Sequence, residues 1–202
     1  DKNGNIYAAT LKGIFSYTLA NKKWINLNSN FSPEGTLRRI RRLKFFNDEV
    51  LIASTSGNLP IFKVNIKNNT LDSLVDKTDT LPPNMYGLEK LNDQEMLGGL
   101  LSSGFSRFNV NTKQFKIGAG ALQYSDSIRY NSVYDILKDS RGRIWMASYY
   151  FRLAEYIPEK DTIISFQSDP YNPYGFEGND ALCIYEDRQH NIWIGTATKG
   201  VY

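Results

Sequence analysis

The chain has 202 residues, 24 Lys and Arg against 21 Asp and Glu, and a formal net charge of +3. A single cysteine excludes an internal disulfide and a Cys-rich zinc site, and a single histidine excludes a multi-His metal centre. No apolar run reaches the ~18 residues of a membrane-spanning helix, and nothing gathers the small positive surplus on one face, so no nucleic-acid partner is expected.

One pattern returns along the chain. It opens as Asp1-Lys-Asn-Gly-Asn-Ile-Tyr-Ala-Ala-Thr10. Shorter versions follow at Glu49-Val-Leu-Ile-Ala-Ser54 and Glu95-Met-Leu-Gly-Gly-Leu100. Full copies return at Asp139-Ser-Arg-Gly-Arg-Ile-Trp-Met-Ala-Ser148 and Asp187-Arg-Gln-His-Asn-Ile-Trp-Ile-Gly-Thr196. The large central residue is Tyr7, Leu51, Leu97, Trp145 and Trp193, at spacings of 44, 46, 48 and 48. The repeat units cover approximately 1–34, 35–82, 83–129, 130–177 and 178–202.

Each unit reads as short strands joined by turns, with three strands in the first, four in the next three and two to three in the last. The fourth unit shows the pattern. Val133–Lys138 is its first strand, Asp139-Ser-Arg-Gly142 a tight turn, and Arg143–Ser148 the second strand. Leu153–Ile157 is the third, Pro158-Glu-Lys-Asp161 a turn, and Thr162–Gln167 the fourth. No segment carries a 3.6-residue apolar period, so almost no helix is expected. The second strand is apolar on both faces, as in a strand buried between two neighbours. Its large ring would fill the gap between sheets, while Ala9, Ala53, Gly99, Ala147 and Gly195, two positions on, would let the sheets approach. Four strands at a period in the mid-forties predict an all-β chain: a β-propeller segment of about five four-stranded blades, the first and last partial. The alternative, a tandem of hairpins in a β-sandwich, would not repeat at a fixed period.

The motif Asp-x-x-Gly-Asn-Ile-Trp-Ile-Gly-Thr, followed by Gly-Val-Tyr, resembles the two-component regulator propeller repeat. The match is best over Val133–Ser148 and Ile184–Tyr202, with Asn3–Phe15 close behind. WD40, kelch and sialidase Asp-box patterns are absent. The resemblance implies the periplasmic sensor region of a hybrid two-component protein of the Bacteroidetes type, anchored in the inner membrane. It also implies a ring larger than this chain, which starts and ends inside a unit. Two positions depart from the repeat. His190 stands where Gly4 and Gly142 stand, with Asn191 a candidate for the left-handed conformation, and Tyr149-Tyr-Phe-Arg152 stands where a glycine would follow the second strand.

No catalytic constellation is visible, and no cofactor or metal is expected. His190 reads as a turn residue. Cys183, within Ala181-Leu-Cys-Ile-Tyr185, reads as a buried small hydrophobe. Asp1, Asp139 and Asp187 recur at one turn of separate units, which argues for turn capping. In a four-stranded meander, the loops after the second strands share an end with the connections between units. That end would gather Tyr124, Arg129, Tyr130, Tyr149, Tyr150, Phe151, Arg152, Tyr171, Tyr174 and Phe176. Rings flanked by guanidinium donors suit sugars; they equally suit loops packed on a neighbouring domain. The run Arg38-Arg-Ile-Arg-Arg42 falls in the first strand of the second unit, either as an electropositive channel mouth or paired with acidic neighbours at a rim.

These readings make the chain a non-enzymatic segment that senses polysaccharide breakdown products, with any kinase module outside it. The signalling role comes from the resemblance alone. Its partners would be an oligosaccharide, the remaining blades and adjacent domains of the parent protein; a homodimer stays open. The alternatives are a protein-binding propeller scaffold and a propeller glycan lyase or hydrolase.

Overall fold

A computed structural model describes residues 1–27, 39–56, 61–75, 84–118, 132–149, 152–166, 171 and 180–202. All of its regular elements are strands. Two compact units are formed, Asp1–Met85 with Val110–Lys113, and Tyr86–Asn109 with Gln114–Tyr202.

The first unit holds a three-stranded antiparallel sheet of β1 (Ile6–Thr10), β2 (Gly13–Thr18) and β3 (Lys23–Asn26). It also holds a four-stranded sheet of β4 (Ile40–Phe45), β5 (Val50–Thr55), β6 (Phe62–Asn65) and β7 (Thr70–Ser73). Every residue of β5 is buried, as the apolar reading of both its faces requires. Ile14 of the first sheet joins Ile40, Leu51, Ala53, Phe62 and Val64 of the second in one apolar cluster. Because β4 begins at Ile40, only two of the four arginines in the run lie in that strand. Arg41 is the extra residue of a β-bulge there, Arg39 precedes the strand at φ +54°, and Arg38 lies outside the described residues.

The next sheet is β8 (Met85–Lys90), β9 (Glu95–Leu100), β10 (Phe105–Asn109) and β11 (Phe115–Ile117). The following one is β12 (Val133–Lys138), β13 (Ile144–Ser148), β14 (Leu153–Ile157) and β15 (Thr162–Phe166). β16 (Ala181–Glu186) pairs with β17 (Ile192–Thr196), and a bridge from Gly195 to Val201 adds a short third segment.

Within the second unit, alternation sends the two faces of β13 into different clusters. Ile144 and Met146 pack with Leu97, Phe105, Val133 and Ile136, while Trp145 and Ala147 pack with Ala181, Ile184 and Ile194. A Cβ added at Gly99 would stand 2.5 Å from the Val133 carbonyl oxygen on β12, so this position admits no side chain. Ala53, Gly99 and Ala147 are buried as the sheet-approach reading requires. Gly195 is half-buried, with only Cys183 Sγ among the described residues within 2.5 Å of where its Cβ would stand, and Ala9 is exposed. Trp145 and Trp193 occupy the same register on second strands. Trp145 is 7% exposed and Trp193 46%, since no described sheet packs over the outer side of β17.

Cys183 corrects an expectation: it is exposed, not buried. It stands opposite Gly195, on the same face of β16 and β17 as exposed Tyr185 and Trp193, over which no described sheet packs; a bulge lies between Ala181 and Cys183. An equivalent bulge lies between Val133 and Asp135 in β12.

Candidate functional site

In three repeats the turn that opens the second strand is built on one carboxylate, while Asn47 and Asn92 supply an amide oxygen at the turns before β5 and β9. Asp139 Oδ1 accepts the amides of Arg141 (3.0 Å) and Arg143 (2.8 Å), while Oδ2 accepts Arg143 Nε (2.8 Å) and Trp145 Nε1 (3.0 Å). Asp187 repeats this with Gln189, Asn191 and Trp193, and Asp1 with Asn3, Asn5 and Tyr7. Burial pushes the Asp139 carboxyl up, but the indole, the Arg143 amide and the Arg143 guanidinium together hold it below its usual value. The Trp193 indole, then the Asn191 side chain, pull Asp187 down to about 2. These aspartates are structural hubs, as turn capping requires. The residue three positions on is left-handed in each turn: Gly4 at φ +76°, Gly142 at +85° and His190 at +65°. His190 itself takes this conformation, not Asn191; its backbone amide closes the turn on the Asp187 carbonyl at 3.0 Å.

His190 belongs to an inter-sheet cluster. Ser140 Oγ lies 2.8 Å from His190 Nδ1 and 2.5 Å from Glu186 Oε1, and His190 Nδ1 lies 3.1 Å from the same Glu186 oxygen. A nucleophile relay needs the hydroxyl and the carboxylate on opposite ring nitrogens. Here both meet one nitrogen, so the trio clasps two turns together and does not activate the serine. Among the described residues, no group of three or more His, Cys, Asp or Glu is placed to hold a metal ion.

At the opposite end of the sheets lies the loop after β13. Ser148 N donates to the Arg152 carbonyl at 2.7 Å, and Tyr149 N to the Ser132 carbonyl at 3.1 Å. Arg152 stands at φ +62°, the slot filled by Gly104 (+71°) and Gly200 (+82°) in neighbouring repeats. An arginine therefore accepts the strained conformation for which the repeat elsewhere uses glycine. Tyr149 is 49% exposed beside it, and Tyr171 is 93% exposed. Tyr124, Arg129, Tyr130, Tyr150, Phe151, Tyr174 and Phe176 lie outside the described residues.

Two rings at this end were not singled out from sequence. Tyr134, the extra residue of the β12 bulge, meets Tyr86 of β8 edge to face, with centroids 5.7 Å apart. The pairing of Val133 with Ser148 puts Tyr134 at the same sheet end as Tyr149. The available signal was the repeat itself: Tyr86 and Tyr134 follow Met85 and Val133 at one register of their first strands.

These sheets define a class: the chain has the fold of part of a β-propeller. The family model described as two component regulator propeller matches residues 127–150 and 175–198. Over 198 residues, 94% of the chain, it is 28% identical to Histidine kinase P4 of Formosa agariphila, and the match covers 14% of that protein. It is similar to the extracellular domain of BT3049 from B. thetaiotaomicron, described as a hybrid two component system. That match has a TM-score of 0.73 at 19% identity and covers 98% of this chain and 24% of the other. The extracellular domain of BT4673 from the same organism gives 0.73 at 18%, covering 98% and 26%. The GH74 enzyme of Niastella koreensis gives 0.68 at 16%, covering 96% and 31%. The chain thus spans about a seventh of the kinase and about a quarter of the two extracellular domains. Among the described residues, no helix is long and apolar enough to cross a membrane.

Proposed function

We propose that this chain is the ligand-sensing, extracytoplasmic propeller segment of a hybrid two-component sensor that detects polysaccharide breakdown products. Its binding partners are an oligosaccharide and the remaining blades and domains of the parent protein. The parent is anchored in the inner membrane, with this segment in the periplasm and a kinase module elsewhere in the chain. The segment itself is non-catalytic, in keeping with the clasp geometry of Ser140, Glu186 and His190.

One observation carries the ligand reading. Arg152 holds a left-handed backbone where neighbouring repeats place glycine, with exposed Tyr149 three residues before it. A left-handed backbone disfavours any side chain, so an arginine in this slot points to a use for its guanidinium. A phenol ring offers a flat apolar face to a sugar, and a guanidinium offers paired donors to hydroxyl or carboxylate oxygens. Tyr134 and Tyr86 add two rings at that sheet end, and Tyr150 and Phe151 continue the same loop in sequence.

The test is calorimetry of the protein against oligosaccharides from digests of pectin, xylan, alginate and chondroitin sulfate. One of these is expected to bind saturably, with Tyr149→Ala, Tyr150→Ala and Arg152→Ala each weakening it by roughly 1–3 kcal/mol. Equal affinity in all three folded variants would move the site elsewhere.

A further inference from the structure

We infer that a groove at the turn end of the sheets, remote from Tyr149 and Arg152, is a second ligand site, fitted to a small polyhydroxylated carboxylate such as a uronic acid unit. The groove lies between the sheet of β8–β11 and that of β12–β15 and encloses about 380 Å³. Ligand pockets run from about 300 to 1,000 Å³, so it has room for one sugar ring. Arg107, Lys138, Arg141 and Arg143 line it, together with Glu155 and Glu159 over an apolar floor that includes Ile144 and Ile157.

The cations are not a requirement of the repeat. Arg107 stands opposite Leu97 as Glu155 stands opposite Trp145, and Lys138 stands opposite Ile144 as Glu186 stands opposite Ile192. In the next copy of the turn, Gln189 and Asn191 take the places of Arg141 and Arg143. All four positions are therefore non-cationic one repeat on, in a copy that folds the same way. The Asn191 side chain serves Asp187 as the Arg143 guanidinium serves Asp139, so the turn needs only one donor there.

Two of the cations are fixed in place. Arg107 is held by Glu95 at 2.7 Å and by the Tyr156 hydroxyl at 3.3 Å. Arg143 is held by Asp139 and lies over the Trp145 ring, 4.8 Å from its centroid. The other two keep charge to offer. Among the described residues, Lys138 Nζ donates to the Leu91 carbonyl at 2.8 Å, and neither Lys138 nor Arg141 makes an ion pair. A carboxylate is the group that meets paired guanidinium and ammonium donors best. Glu155 and Glu159 supply acceptors for hydroxyls and set the site against a bare anion.

The experiment is calorimetry of the protein at low ionic strength with glucuronate, glucose and sulfate as probes. Glucuronate is expected to bind saturably, with glucose and sulfate at least ten-fold weaker. Lys138→Ala and Arg141→Ala should each weaken glucuronate by about five-fold or more, and Lys160→Ala, which removes an equal charge from the neighbouring turn, should leave it unchanged. Circular dichroism checks that each variant folds. Absence of saturable glucuronate binding, equal binding of glucose or sulfate, or glucuronate affinity unchanged in both groove variants would each overturn the assignment.

Discussion

The indole of Trp145 donates to the carboxylate of Asp139 at 3.0 Å, six residues back along the chain, and Trp193 donates to Asp187 at 2.8 Å over the same spacing. One side chain thereby fixes the turn and the rotamer of the ring that packs between sheets. The Asp139 carboxylate is 1% exposed. Asp139→Ala would strand two amides and a buried indole N–H, at about 1–3 kcal/mol for each group left without a partner. Asp139→Asn should lose less, since its amide oxygen still accepts. Urea melts are expected to rank the parent, Asn and Ala variants in that order; an Ala variant as stable as the parent would remove the hub role.

Equivalent register does not mean equivalent burial. Trp145→Ala empties a site walled by Ala181, Ile184 and Ile194 and should cost ~3–5 kcal/mol. Trp193→Ala should cost distinctly less, because nearly half of that ring is exposed. His190→Gly relieves a left-handed residue while losing the contacts to Ser140 and Glu186, so its net effect should be small. Denaturant midpoints for the three variants check the ranking, and a loss at His190 larger than at Trp145 would reverse it.

The fold was legible because backbone hydrogen bonding and apolar alternation repeat with the sequence. Strand order, the burial of β5, β9 and β13, and the turn role of Asp139 follow from the period and from residue type. What stayed hidden depends on atoms that sequence spacing does not place. Asp139 and Trp145 recur six apart, yet only the path of the tight turn brings indole to carboxylate. The left-handed backbone of His190 is obscured in sequence by Asn191 beside it, a residue type equally suited to that conformation. Tyr134 was invisible as a surface ring because a one-residue bulge resets the alternation of β12. The exposure of Cys183 is hidden for a different reason: the apolar run around it does not tell that its face, shared with Tyr185 and Trp193, is left uncovered.

Acid should act on these turns late. A carboxyl whose folded pKa is depressed contributes stability that is present above its unfolded value, near 4, and is lost as pH falls through the folded value. For Asp187 the folded value is about 2. The Trp193 indole N–H resonance is therefore expected to stay fixed from pH 7 to about pH 4 and to shift below that, with a midpoint near pH 2. Asp187→Asn should remove that shift. A midpoint near 4 in the parent would mean that the indole and the Asn191 side chain do not hold the carboxylate.

Arg152 separates stability from binding in one substitution. Its φ of +62° lies in the region where a side-chain-bearing residue is disfavoured by about 1–2 kcal/mol, and Gly104 and Gly200 occupy the same slot without that penalty. Arg152→Gly restores the repeat's own choice while removing the guanidinium. Glycine also loses more backbone entropy on folding, which offsets part of the gain, so a net increase of about 0.5–1 kcal/mol is expected. The backbone bond from Ser148 N to the carbonyl of residue 152 does not depend on the side chain and should persist. If the guanidinium is there for a ligand, the same variant should bind the cognate oligosaccharide about ten-fold or more weakly. Thermal melts read the first effect and calorimetry the second. A variant that is less stable than the parent would mean that the Arg152 side chain is itself a packing element of the loop, and the argument from strain to sensing would fail with it.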